Sequence, residues 1–177
     1  LQVLEEKKVT IGSYSVDFKA DFVFIGTLNP EDSSTEKLSD VFLDRFDLVY
    51  MTYPETLEAE KEIVKLKGTS LSSIMFPEEL LELTVAFVRQ LRENKKLEKK
   101  PSVRATIGLF ERAQANALLR NRKEVVIDDI KDAVISVMAH RISLKPSAKY
   151  VMSPEELLRE ELESFIEESQ IAEGGYR

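Results

Sequence analysis

Three side chains in this 177-residue sequence stand where they could act on a phosphate: Asn29, Arg45 and Arg104. Asn29 lies in Thr27-Leu28-Asn29-Pro30, just after the apolar run Phe22-Val23-Phe24-Ile25. In open α/β sheets, ligands sit beyond the carboxyl ends of the strands, and an asparagine there can orient a water against a phosphate. Asn-Pro also opens turns, so the residues alone leave both readings open. Arg45 lies in Leu43-Asp44-Arg45-Phe46-Asp47, between apolar anchors. A rigidly held arginine suits contact with a phosphate in a neighbouring subunit, where it stabilises charge in phosphoryl transfer. A surface arginine held by Asp44 or Asp47 is the alternative. Arg104, in Pro101-Ser102-Val103-Arg104-Ala105, falls in the first turn of a helix. A cation there opposes the helix dipole at a cost of roughly 0.3–1 kcal/mol. The placement becomes favourable if an anion at that end is shared by the arginine and the backbone N–H groups.

Composition closes off other chemistries. There is no Cys, which excludes disulfides, thiolate metal sites and Cys nucleophiles. The single His, His140, rules out His-cluster metal sites, and no metal site is predicted. His140-Arg141 falls at a helix end where cations are favoured, so a structural or exposed role is expected. The chain carries 25 Lys and Arg against 32 Asp and Glu, a net charge of −7. Residues 1–54 have net −5, residues 55–153 net +4 and residues 154–177 net −6. The basic excess gathers in Arg92-Glu93-Asn94-Lys95-Lys96-Leu97-Glu98-Lys99-Lys100, which reads as a solvated loop. Nucleic acid is a disfavoured partner, because that run has no interleaved aromatics and the chain is acidic. No apolar run approaches the ~18 residues of a membrane span. A soluble, cytoplasmic protein with no membrane partner is expected. The sequence starts at Leu1, so a piece of a longer chain is expected.

Two styles of sequence position these residues. The first fifty residues read as α/β. Val9–Val16 reads as a hairpin turning at Gly12-Ser13. Phe22–Ile25, apolar without alternation, reads as a strand covered on both faces, and Leu48–Tyr53 as a second strand ended by Pro54. Ser39–Phe46 would supply the crossover between them. From Glu55 the pattern is helical. Helices are predicted over Thr56–Lys67, from Pro77, over Ser102–Arg120, from about Asp128, and after Ser153-Pro154-Glu155-Glu156. The second helix has an expected stripe of Leu80, Leu83, Thr84, Phe87, Val88 and Leu91; the third, of Val103, Ile107, Phe110, Ala113 and Ala117. Asn121 suits the left-handed position after a helix, and Gly174–Arg177 should fray. Too few strands are present for a parallel sheet, so the tail end of an α/β domain followed by a helical domain is expected.

The order of the pieces resembles the carboxyl-terminal part of a MoxR-type AAA+ ATPase, with the magnesium-chelatase ATPase subunit and the MCM helicases as wider relatives. The residues that carry the likeness are Thr27-Leu28-Asn29-Pro30-Glu31, Leu43-Asp44-Arg45-Phe46, Tyr53-Pro54-Glu55, Pro101-Ser102-Val103-Arg104-Ala105, Val125-x-x-Asp128-Asp129-Ile130 and His140-Arg141-Ile142. The opening segment Leu1–Tyr14 resembles the stretch after the Walker B strand in that family. The resemblance implies the tail of a P-loop core over 1–54, with Asn29 as sensor 1 and Arg45 as arginine finger. It implies a helical lid over 55–147 with Arg104 as sensor 2, then a carboxyl-terminal helix and tail over 148–177. ATP and Mg²⁺ are the implied cofactors, a ring of subunits the implied assembly, and remodelling, assembly or metal insertion in a protein client the implied task. No Gly-x-x-x-x-Gly-Lys-[Ser/Thr] and no acidic Walker B strand end occur in the sequence, so these residues alone are not expected to hydrolyse ATP. Ser39 stands near the place where the chelatase subunit has an extra arginine, which favours the MoxR likeness. Two rivals are a DNA-translocating relative using the hairpin with Lys7 and Lys8, and a non-enzymatic helical partner-binding module.

Overall fold

A computed structural model describes residues 9–11, 14–16, 22–29 and 38–174. The Gly12-Ser13 turn, Lys7 and Lys8, Pro30 and Glu31, and Gly175–Arg177 lie outside the described residues. The chain divides into two units, Leu1–Met51 and Thr52–Arg177.

In the first unit, β1 (Val9–Ile11) pairs antiparallel with β2 (Tyr14–Val16), in the register Val9 to Val16. Helix α1 (Asp40–Leu43) is one turn long, and the Ser39 side chain caps it by accepting from the Phe42 amide at 3.3 Å. The two expected central strands do not form. Phe22–Ile25 and Leu48–Met51 belong to no ladder, and Val23, Ile25, Tyr50 and Met51 are each more than four-fifths exposed. The physical reason is that a strand apolar on both faces gains stability only from neighbours on its edges and cover on both sides. Among the described residues, neither run has such a neighbour. Phe24 instead meets Phe46 at 5.7 Å between ring centroids, and Phe46 meets Phe42 at 4.7 Å.

The second unit is helical. It comprises α2 (Leu57–Lys67), α3 (Glu78–Glu93), β3 (Leu97–Lys99), α4 (Val103–Leu119), α5 (Ile127–Met138), a 3₁₀ turn (Ala139–Arg141), β4 (Ser143–Leu144), α6 (Pro146–Lys149) and α7 (Pro154–Gly174). The ends follow from local chemistry. The Thr56 hydroxyl accepts from the Ala59 amide at 3.1 Å and starts α2. Gly68 is the C-cap of α2, its amide donating to the Val64 carbonyl at 2.8 Å, and a Cβ there would lie 2.7 Å from that carbonyl and 2.9 Å from the Phe110 ring. Pro77 takes the N-cap of α3, one place before the expected first helical position. Helix α4 closes in a Schellman turn: the Arg122 amide donates to the Ala117 carbonyl at 2.9 Å and Asn121 takes φ 53°. At α7 the capping box is complete. The Ser153 amide donates to Glu156 Oε2 at 2.7 Å, and the Glu156 amide to Ser153 Oγ at 3.2 Å.

The main core joins Phe87 and Leu91 of α3, Leu109 and Ala113 of α4, Ile130, Val134 and Met138 of α5, and Leu157, Leu158 and Phe165 of α7. Full burial of each large side chain contributes about 1.5–3 kcal/mol. Helices α4 and α5 approach closely at Gly108, where a Cβ would lie 2.9 Å from Val137 Cγ1. A smaller cluster of Val64, Leu81, Val85 and Phe110 joins α2, α3 and α4. The faces differ in part from the expected stripes. Helix α3 buries Leu81, Val85 and Arg92 more deeply than Leu80 and Leu83, and α4 buries Ala105 and Leu109 where Val103 and Ile107 stay half-buried.

The basic run also departs from its reading as a solvated loop. Arg92 is buried in α3, and β3 pairs antiparallel with β4, setting buried Leu97 opposite buried Leu144. The run conceals one core residue and one internal cation, while Lys95, Lys96, Lys99 and Lys100 remain exposed.

Candidate functional site

Asn29 and Arg45 belong to the first unit. Asn29 ends the exposed segment 22–29, which has no regular secondary structure. Arg45 is half-buried in the turn after α1, and its Nη1 donates to the Val41 carbonyl. The residue after it, Phe46, packs on Phe24 of the segment that leads to Asn29. Arg104 belongs to the second unit. It is the second residue of α4, is exposed, and its side chain forms no hydrogen bond or ion pair with a described residue. Ser102 at the N-cap makes no side-chain cap bond, and the first turn of α4 holds no acid. This end of a 17-residue helix therefore presents an arginine beside amides that no side chain caps. His140 is exposed in the 3₁₀ turn, with its Nε2 2.7 Å from Arg141 Nη1.

A group that the sequence reading missed lies behind Arg104. The Glu60 carboxylate of α2 is fully buried. Arg92 of α3 meets it as a fork, Nη1 to Oε2 and Nη2 to Oε1, both at 2.6 Å. Thr106 of α4 donates its hydroxyl to Glu60 Oε1 at 2.7 Å. Arg92 Nε donates to the Pro101 carbonyl at 2.9 Å, and its guanidinium carbon stands 4.5 Å from the centre of the Tyr53 ring. Arg89, one helical turn earlier, gathers three consecutive carbonyls. Its Nη1 donates to Pro54 at 2.9 Å and Thr56 at 3.2 Å, and its Nη2 to Glu55 at 2.9 Å. Burial pushes the Glu60 carboxyl up, but the hydrogen bonds from Arg92 and Thr106 and the charges of Arg92 and Arg89 outweigh it and hold it below the ordinary value. The clue in the sequence was spacing: Glu60 falls between Leu57 and Val64 on the buried side of α2, at i+3 and i−4.

A second buried carboxylate, Asp129, fastens α4 to α5. It accepts from Arg122 Nη1 at 2.6 Å, from Arg120 Nη1 at 2.9 Å and from the Val126 amide at 3.0 Å. Burial raises its proton affinity, and Arg122, the Val126 amide and Arg120 together lower it below the ordinary value. Among the described residues, no group of three His, Cys, Asp or Glu side chains could hold a metal ion, and no helix is long and apolar enough to cross a membrane.

The chain is 29% identical over 173 residues to the "Uncharacterized protein YeaC" of Bacillus subtilis, covering 85% of this chain and 54% of that protein. It therefore spans about half the length of that curated relative. A crystal structure of a "putative ATPase" from Cytophaga hutchinsonii aligns at 23% identity and a TM-score of 0.48, over 92% of this chain and 59% of the other. Residues 89–161, from the cation that gathers the Pro54–Thr56 carbonyls through the first eight residues of α7, match the family described as AAA lid domain.

Proposed function

We propose that the chain is the lid-bearing, carboxyl-terminal part of a MoxR-type AAA+ ATPase that works as a ring on a protein client. The observation that carries the reading is Arg104. It stands exposed at the uncapped start of α4, inside the segment that matches the AAA lid domain. The arrangement fits the phosphate end of ATP: a guanidinium and backbone N–H groups share one anion. In this reading Arg104 contacts the nucleotide as sensor 2, Asn29 orients the attacking water as sensor 1, and Arg45 reaches ATP held by the next subunit. ATP bound with Mg²⁺ supplies the phosphoryl group. The phosphate loop and the acidic Mg²⁺ partner are absent from this sequence, so other residues of the intact protein would hold them. The residues 1–54, 55–147 and 148–177 then serve as core tail, lid, and terminal helix with tail. The exposed runs Phe22–Ile25 and Leu48–Met51 support the core-tail role, because their composition suits the middle of a parallel sheet.

The test is Arg104→Ala in the intact protein. Loss of a charge-assisted hydrogen bond to phosphate weakens ATP affinity about 10–100-fold, measured by titration with a fluorescent nucleotide. The thermal midpoint without nucleotide should stay at the wild-type value, because Arg104 is exposed and makes no bond to a described residue. Unchanged affinity and unchanged hydrolysis together would remove the sensor role. Strong, salt-sensitive DNA binding by the intact protein would favour the DNA-translocating rival instead.

A further inference from the structure

We infer that Arg89 is a positioning residue for Arg104, tying the segment through which the chain enters the helical unit to the start of α4. The inference rests on the ATPase reading above and adds a regulatory part to it. Two rows of contacts carry it. On one side, Arg89 holds the carbonyls of Pro54, Glu55 and Thr56. On the other, the α4 start is held on both sides of Arg104: Pro101 by Arg92 Nε, and Thr106 by Glu60. Glu60 links the two rows, because Arg92 forks onto it and Arg89 Nη1 lies 3.6 Å from its Oε2.

The geometry separates this role from simple packing. Arg92 and Glu60 are buried and neutralise each other, so they hold the fold. Arg89 is 29% exposed, and the fork of Arg92 onto Glu60 is made without it. What Arg89 uniquely supplies is a planar donor set spanning three successive carbonyls. A lysine ammonium cannot reproduce that fork. A nucleotide that draws on Arg104 would thus shift the α4 start, the Glu60 carboxylate and the Tyr53–Thr56 segment as one piece. Without Arg89, the segment is released from that movement.

The experiment is a double-substitution cycle in the intact protein, with ATP turnover and the KM for ATP as readouts. Arg89→Ala and Arg104→Ala should each slow turnover about tenfold or more, and the double variant should be within about twofold of the slower single one. For Arg89→Ala the loss should divide between kcat and KM in the same proportion as for Arg104→Ala, with the thermal midpoint close to wild type; a merely loosened fold would lower the midpoint as well. Arg89→Lys should behave as Arg89→Ala, and it carries the test if the alanine variant fails to fold. Multiplying effects in the double variant, or wild-type turnover in Arg89→Ala, would overturn the inference and leave the ATPase reading intact. No turnover in the wild-type protein, or none lost in Arg104→Ala, would overturn the reading or its sensor role, and the inference with it.

Discussion

Replacing Arg45 with alanine in the intact protein should lower ATP turnover about 10³–10⁵-fold while leaving nucleotide affinity within about twofold of wild type. An arginine delivered from a neighbouring subunit touches charge that develops only in the transition state, so its loss falls on kcat. The structure gives the side chain a firm base. Ser39 caps α1, Phe46 packs between Phe42 and Phe24, and Arg45 Nη1 is bonded to the Val41 carbonyl one turn back. Arg45→Lys should rescue little, because an ammonium lacks the planar fork. Mixing gives a sharper form of the test. Subunits carrying Arg45→Ala, combined with subunits whose own phosphate loop is disabled, should regain turnover at the interfaces where an intact arginine meets an intact loop. A variant retaining more than about a tenth of wild-type turnover would end the assignment.

Breaking the Glu60–Arg92 fork should have the largest effect on stability. Arg92→Ala leaves a fully buried carboxylate without its main partner, and Glu60→Ala does the same to Arg92; each should cost about 3–5 kcal/mol in urea denaturation followed by helical circular dichroism. Joint replacement, Glu60→Leu with Arg92→Met, should cost less than either single change, because no internal charge is stranded. A loss under about 1 kcal/mol in both singles would show that the pair contributes little. The pH dependence has a definite sign. The folded-state Glu60 carboxyl binds protons less readily than its unfolded form, whose ordinary value is 4.5. Its contribution is therefore fully present above about pH 4.5 and is lost as pH falls through the lower folded value. Asp129 acts in the same direction, so Glu60→Gln should remove only part of the acid-side loss.

Much of the helical unit was legible in the sequence because its boundaries are set locally. Thr56, Gly68, Asn121 and the Ser153–Glu156 box each act within one turn of chain, and each stands where its chemistry places it. Glu60 and Arg92 were not legible, because their meaning lies in each other across 32 residues. Read singly, one is an ordinary acid in a charged helix and the other the head of a basic run. Only their positions on the apolar faces of α2 and α3 hinted at burial. The strand expectations for Phe22–Ile25 and Leu48–Tyr53 failed for a related reason. Composition expresses a preference for extended backbone, but a ladder needs an adjacent edge, and neither run finds one among the described residues. Asn29, Arg45 and Arg104 could be singled out by type and neighbours, while the roles proposed for them rest on the resemblance.

The bare apolar runs of the first unit have a further consequence, one of cohesion. A β-prone ribbon with unused amides and carbonyls accepts whatever edge is offered first. Phe22–Ile25 and Leu48–Met51 are therefore as ready to pair with copies of themselves as with a rightful neighbour.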